Sequence, residues 1–380
     1  MSFLPWGTRG SSRLVRAEWT RMTYYKFADY WPILSDGFAE SRDRLVKNVA
    51  AHSVRASSYG LVRASVDVVA GLPDEYAQGI YAQPHTFPAV LRFSDGLGRI
   101  RPGVGFGAVC GVGVKMFDVP GRSLTKDGPD AGTFDLELIN SPTFFCNTAR
   151  DYVAFEALCA ELPEVLLAEA DRRDWFYRFV TGDGTLPRGD WLWDELFSFV
   201  TLESIPHKNL LSYDYWSIGA LRHGDYIAKV RLRPAEVSSR SVDHEAGTGT
   251  AAESFRAGLV EEAGEREHRF DLQVQLAVAL SRTPVHNTSK RWSEQDSPFV
   301  TVARILVPRQ DISMDANLVS ADATMITPWR SREEHRPLGE IMELGRSVCV
   351  HDQFGCPKGG EPGNVEELMG CGSRSSEWSW

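Results

Sequence analysis

The stretch HSVRASSYG, His52 to Gly60, sets an imidazole three residues before a guanidinium and places a phenol just before its last glycine. An imidazole exchanges protons near neutral pH, which suits general acid–base work. A guanidinium stays charged at any physiological pH. Arg55 can therefore grip an anion or donate hydrogen bonds, and it cannot act as a base. Tyr59 and Tyr152 carry hydroxyls that serve either as functional groups or as the polar tips of core aromatics, and the two readings stand level. Arg92 interrupts the apolar run AVLRFS and reads as an anion-binding side chain in preference to a buried ion pair with an acid such as Asp135. Metal chemistry has less behind it. None of the cysteines forms a CxxC pair, and HDQFGC near the C-terminal end offers two possible ligands, which make no site.

These residues must be positioned by strands. From Gly60 onward Val62, Ala64, Val66 and Val68 alternate with Arg63, Ser65 and Asp67, the pattern of a half-buried strand. AVLRFS, CGVGVKMFDV, TFDLELI, YIAKVRLRP, FDLQVQLAV and FVTVARILV continue the series, with Gly- and Pro-rich turns between them. Asp151 to Val180 predicts a helix that Pro163 divides in two. TAAESFRAGLVEEAGER and EHRPLGEIMELGRSV predict two more. The expected fold is α+β: a closed antiparallel β-barrel of about eight strands with helical additions. A doubly wound sheet is disfavoured, because the helices do not alternate regularly with the strands. Residues 1–45, rich in Trp, Tyr and Arg, form an expected N-terminal arm with a short helix beginning near Ser41; 46–351 form the barrel domain. Residues 352–380, Gly/Ser-rich, are expected to be a flexible tail.

With 43% hydrophobic and 24% charged residues, the 380-residue chain has ordinary globular composition. Its net charge of −10 argues against nucleic acid as a partner, since phosphate contacts need clustered Lys and Arg. No apolar run is long enough for a signal peptide or a membrane span. The six cysteines read as reduced intracellular thiols, so a cytoplasmic protein with a small-molecule substrate is expected.

Taken together, the segments YGLVRASVDVVAGLP, RFSDG, GVGVKMFDVPG, DLELINSPTFFCNTARDYVAF, SPFVTVARILVPRQD and EHRPLG resemble, in order, the haem catalase superfamily, and most of all its small catalase-like branch. The resemblance runs from about Leu45 to Val350. It implies haem as cofactor, held between a distal and a proximal side. The distal histidine of the family falls on Arg55, and an arginine that often accompanies the propionates falls on His52, so that HSVR stands where RxVH is expected. Asn140 lies close to the distal amide, although strict matching puts that amide at Ile139. Tyr152 takes the place of a phenylalanine that shields the distal face. Tyr59 precedes the last glycine of the motif, and Arg92 matches a propionate-binding arginine. The proximal ligand, tyrosinate in true catalases, falls on Arg330, and its helper arginine falls on Ile326. Arginine is a poor iron ligand, because its lone pair is tied up in a protonated, delocalised group. His335, the imidazole nearest that position, belongs to the EHRPLG signature and implies a structural role beside any part in holding cofactor.

The resemblance implies a haem-dependent oxidoreductase acting on an organic hydroperoxide or small organic metabolite, a biosynthetic tailoring step, with weak or no true catalase activity. The metal ligand stays open. The alternative is a haem-free enzyme of the dehydratase, cyclase or isomerase type that uses a cationic pocket for an anionic substrate. A third reading is a carrier or sensor without turnover. A homo-oligomer built through the N-terminal arm and a monomer are both consistent with the sequence.

Overall fold

A computed structural model of the chain describes residues 23–29, 58–96, 108–124, 132–165, 169–236, 251–352 and Val365. His52, Arg55, most of the N-terminal arm and all of the tail but Asp352 and Val365 lie outside the described residues. Among the described residues the nine antiparallel strands are β1 Ser58–Val68, β2 Thr86–Asp95, β3 Cys110–Met116, β4 Phe134–Ile139, β5 Tyr215–Ser217, β6 Leu221–His223, β7 Tyr226–Pro234, β8 His268–Leu276 and β9 Val300–Val307. Neighbours run in the order β5, β4, β3, β2, β1, β9, β8, β7, β6, and β5 also pairs with β7. That last pairing, Tyr215 with Leu232 and Trp216 with Arg231, closes a ring of eight strands, with β6 as a side hairpin on β7. Closure removes the free edges that an open sheet would expose.

Alternation decides which face looks inward. Val62 and Val66 of β1, Leu91 and Phe93 of β2, Val112 and Val114 of β3, Leu136 and Leu138 of β4, and Phe270 and Leu272 of β8 are all buried in one apolar cluster. Each such side chain contributes roughly 1.5–3 kcal/mol through burial. In β9 the pairing passes from Ala303 opposite Leu272 to Thr301 opposite Gln273, a bulge at Val302 that lets Val302 and Ala303 both be buried.

Among the described residues six helices pack around the barrel: α1 Ala149–Val165, α2 Glu169–Thr181, α3 Trp193–Glu203, α4 Ala251–Glu265, α5 Asp315–Ala323 and α6 Glu340–Asp352. The expected break is not at Pro163, because α1 runs through that proline to Val165. EHRPLG is not helical as expected: only its Glu334 and His335 belong to a 3-10 turn, Glu333–His335, and Pro337 bridges Leu221, so the last helix begins only at Glu340. Helices α1–α3 make a second apolar cluster around Phe155, Trp175 and Phe199. Val365, from the far C-terminal part, packs against Leu61, Val90, Phe117 and Ala321 on the barrel's outer face.

Candidate functional site

The sequence-predicted residues meet the structure on the outer face of β1–β4, where α5 and the segment after it lie across the strands. Outward-facing positions there are Arg92 on β2, Gly113 and Lys115 on β3, and Asp135 on β4. Arg92 Nε donates to Ala321 O of α5 at 2.8 Å and to Ser58 Oγ at 3.1 Å. Arg92 thus ties the start of β1 to the end of α5. Asn317 adds a second tie by bonding both the N–H and the C=O of Leu61.

Arg330, which the sequence resemblance puts at the proximal position, is 3% exposed. Its Nη1 donates to Met325 O at 2.7 Å and lies 3.7 Å from Asp135 Oδ2. Asp135 also takes Lys115, with Nζ 3.1 Å from Oδ1, and accepts the Thr327 N–H at 3.1 Å. The backbone N–H of Asp135 donates to Arg330 O, which stitches the segment to β4. Asp135 is thus the partner of Lys115 and Arg330, not of Arg92 as the ion-pair reading of the sequence had it. Burial raises the Asp135 pKa, and the two cations work against that rise. Lys115 is the single charge inside the run GVGVKMF, and Asp135 is one of two in FDLELI beside Glu137; the two runs pair directly, with Lys115 opposite Asp135.

Ile326 closes the space above β3. A Cβ built on Gly113 would stand 2.6 Å from Ile326 Cγ1, so only glycine lets the two segments meet this closely. Beside them a cleft lined by Asp135, Leu136, Ser217, Pro328, Ser331 and Met342 holds about 20 Å³, room for a water molecule and little more.

The other predicted residues serve elsewhere. Asn140 clips β4 to the chain before β3: its Oδ1 accepts the Cys110 N–H at 2.9 Å and its Nδ2 donates to Ala108 O at 2.6 Å. Tyr152 stacks on Phe144 in the helical layer and packs beside Leu344. Tyr59 belongs to the barrel cluster, its ring 5.3 Å from Phe255, with its pKa raised chiefly by burial. His335 is buried at one end of the barrel, where Nε2 accepts the Ile80 N–H at 3.0 Å. Its ring meets Tyr81, Phe134 and His223. Burial, with the neighbouring His223, pushes the His335 pKa well below the ordinary range. The sequence reasoning missed His223. Its Nε2 bonds Tyr76 O, and burial lowers its pKa to about 4.

The described residues of this set do not fit a haem. Arg330, where the resemblance expects the proximal ligand, is committed to Asp135 and Met325, Ile326 sits directly on Gly113, the Asn140 amide is engaged by backbone at both ends, and His335 Nε2 accepts a backbone N–H. Among the described residues no group of three or more His, Cys, Asp and Glu side chains is arranged to hold a metal ion. No helix among them is long and apolar enough to cross a membrane.

The architecture is nonetheless catalase-like. A bacterial catalase is similar with a TM-score of 0.55 at 14% identity, over 92% of this chain and 66% of that one. A fungal catalase is similar with a TM-score of 0.57 at 12% identity, over 94% of this chain and 75% of that one. The chain therefore spans just under two thirds of the bacterial enzyme's length. No family model matches the sequence, and no curated protein matches it.

Proposed function

We propose that the protein is a haem-free catalase-fold enzyme that acts on a small anionic molecule by proton transfer, in the manner of a dehydratase, cyclase or isomerase. The observation that carries this reading is the closure of the outer β3–β4 face by Ile326 and Arg330, with Asp135 neutralising the arginine that stands at the proximal position. The fold's likeness to catalases, taken alone, would favour the haem-dependent oxidoreductase instead. A fold, however, does not fix a chemistry.

In the proposal Arg55 grips the substrate's negative charge, and His52 moves the proton. Residue 55 is three residues from Ser58, a distance the backbone spans with at most ~11 Å. Ser58 receives a hydrogen bond from Arg92, which places Arg92 at that end of β1. A guanidinium favours an anionic ligand over a neutral one. Tyr152 and Asn140 act in this reading as supports of the helical layer and of the β3–β4 junction.

The test is an absorption spectrum of protein expressed with ample haem precursor, with iron quantified on the same sample. A colourless, iron-poor, monodisperse preparation is expected. A strong Soret band with near-stoichiometric iron would restore the haem-dependent reading. A panel of small carboxylic and phosphorylated acids, screened by thermal shift and then by solvent-deuterium incorporation, separates enzyme from carrier. Arg55→Ala should abolish the thermal shift, and His52→Ala should keep it and lose deuterium exchange.

A further inference from the structure

The outer face of β7 and β8 holds a second set of buried polar groups, under the loop of residues 284–299. Lys229 on β7 and Gln275 on β8 stand opposite one another in register. Lys229 is 5% exposed, its Nζ 5.3 Å from the ring of the buried Trp292. Its one hydrogen bond among the described residues is a long one, 3.4 Å to Lys290 O. Gln275 holds the loop down by donating to Ser297 O at 2.7 Å and Trp292 O at 3.3 Å. The hydroxyl oxygens of Ser289 and Ser297 are buried in the same loop and have no hydrogen-bond partner among the described residues.

No carboxylate among the described residues offsets the lysine. Glu294, on the same loop, is engaged by Arg231 and Arg291, each at 3.1 Å. Burial alone lowers the Lys229 pKa to about 8. Lys115 shows how this fold treats a lysine buried for structure alone: it too faces outward at 2% exposure, and it has Asp135 at 3.1 Å. An ammonium offers three donors, and each serine hydroxyl offers one more. Burying such a charge without a counter-charge is costly.

We propose that Lys229, Ser289 and Ser297 form a binding site for a small oxyanion of carboxylate or phosphate size. The ammonium supplies the charge, the two hydroxyls supply further donors, and the loop pinned by Gln275 closes over the ligand. Charge-assisted hydrogen bonds of this kind are about twice as strong as neutral ones. The site stands apart from Arg92 and Arg330 and does not depend on the reading given for Arg55.

Calorimetric titration of the full chain with inorganic phosphate, and separately with acetate, in a buffer free of other small oxyanions tests the proposal. Saturable one-to-one binding of at least one anion is expected at pH 7. Preference for acetate would mark the ligand as a carboxylate, and preference for phosphate as a phosphate ester or free phosphate. Lys229→Met should weaken binding tenfold or more, Ser297→Ala severalfold. A second measurement on the unaltered chain keeps the test independent of how the variants fold: saturating anion should slow acetylation of Lys229, read by peptide mass spectrometry, about tenfold. The proposal is overturned if neither anion binds, if Lys229→Met binds as tightly as the unaltered chain, or if anion leaves Lys229 acetylation unchanged.

Discussion

The inside of the barrel and its outer β3–β4 face are equally buried, yet they are built from opposite materials. Inside, Phe93, Val114, Leu136, Phe270 and Leu272 pack without a single charge. Outside, Gly113, Lys115 and Asp135 of the same two strands carry a cation–anion–cation set completed by Arg330. The interior needs only volume and apolarity, and many sequences satisfy that. The outer face needs particular partners at particular distances, so it fixes where the 324–332 segment sits. The contrast separates what makes the barrel from what specialises it.

The largest effect is expected from breaking the charged set on one side. Asp135→Ala leaves Lys115 and Arg330 buried without their anion and should cost roughly 3–5 kcal/mol in urea unfolding. Replacing all three members with apolar residues (Lys115→Met, Asp135→Leu and Arg330→Met together) should cost far less, because no charge is then left buried alone. A triple variant as damaged as Asp135→Ala would mean that the face depends on something other than charge balance. For the interior, Leu272→Ala should cost roughly 2–5 kcal/mol through lost burial and the cavity left behind, with no rescue by charge changes.

The two histidines at the barrel end sharpen the comparison through pH. In the folded chain His223 and His335 stay neutral, the first with its pKa at about 4 and the second well below the ordinary value. In the unfolded chain each takes up a proton below about pH 6.5. Their contribution to stability is therefore complete above about pH 6.5 and is lost as pH falls from there toward 4. For His223 the loss amounts to roughly 3 kcal/mol. Urea midpoints measured from pH 7.5 to 4.5 should fall accordingly, and His223→Gln should flatten the decline. An unchanged slope in that variant would assign the acid sensitivity to other groups.

The barrel was legible because its interior follows a period of two, strand after strand, from Val62 to Val307. The closing strand β5 was not, since Tyr215–Ser217 is too short to show a period, and its place is set by β4 and β7 on either side. The site was legible as positions more than as contacts. Arg330 and Arg92 stood out as cations where the resemblance expects ligand and propionate partner, but sequence spacing does not say which acid lies across a strand. The Lys115–Asp135 register supplied that answer. His335 likewise looked like a candidate for cofactor until its Nε2 proved to hold the Ile80 N–H, a partner 255 residues away.

The smallest expected effect probes the packing that separates the haem-free reading from the haem-dependent one. With Ile326 seated on Gly113, Gly113→Ala must push the isoleucine aside, at roughly 1–3 kcal/mol for an overpacked contact. Ile326→Ala removes both side-chain carbons that would collide most closely and should recover most of that loss in the double variant. A double-mutant cycle then reads the contact itself, because residues that touch couple and residues held apart by an intervening group add. Coupling near the full cost of Gly113→Ala is the result expected for direct contact. Simple additivity would mean that something planar and large can separate the two segments, and the argument for a haem-free site would lose its foundation.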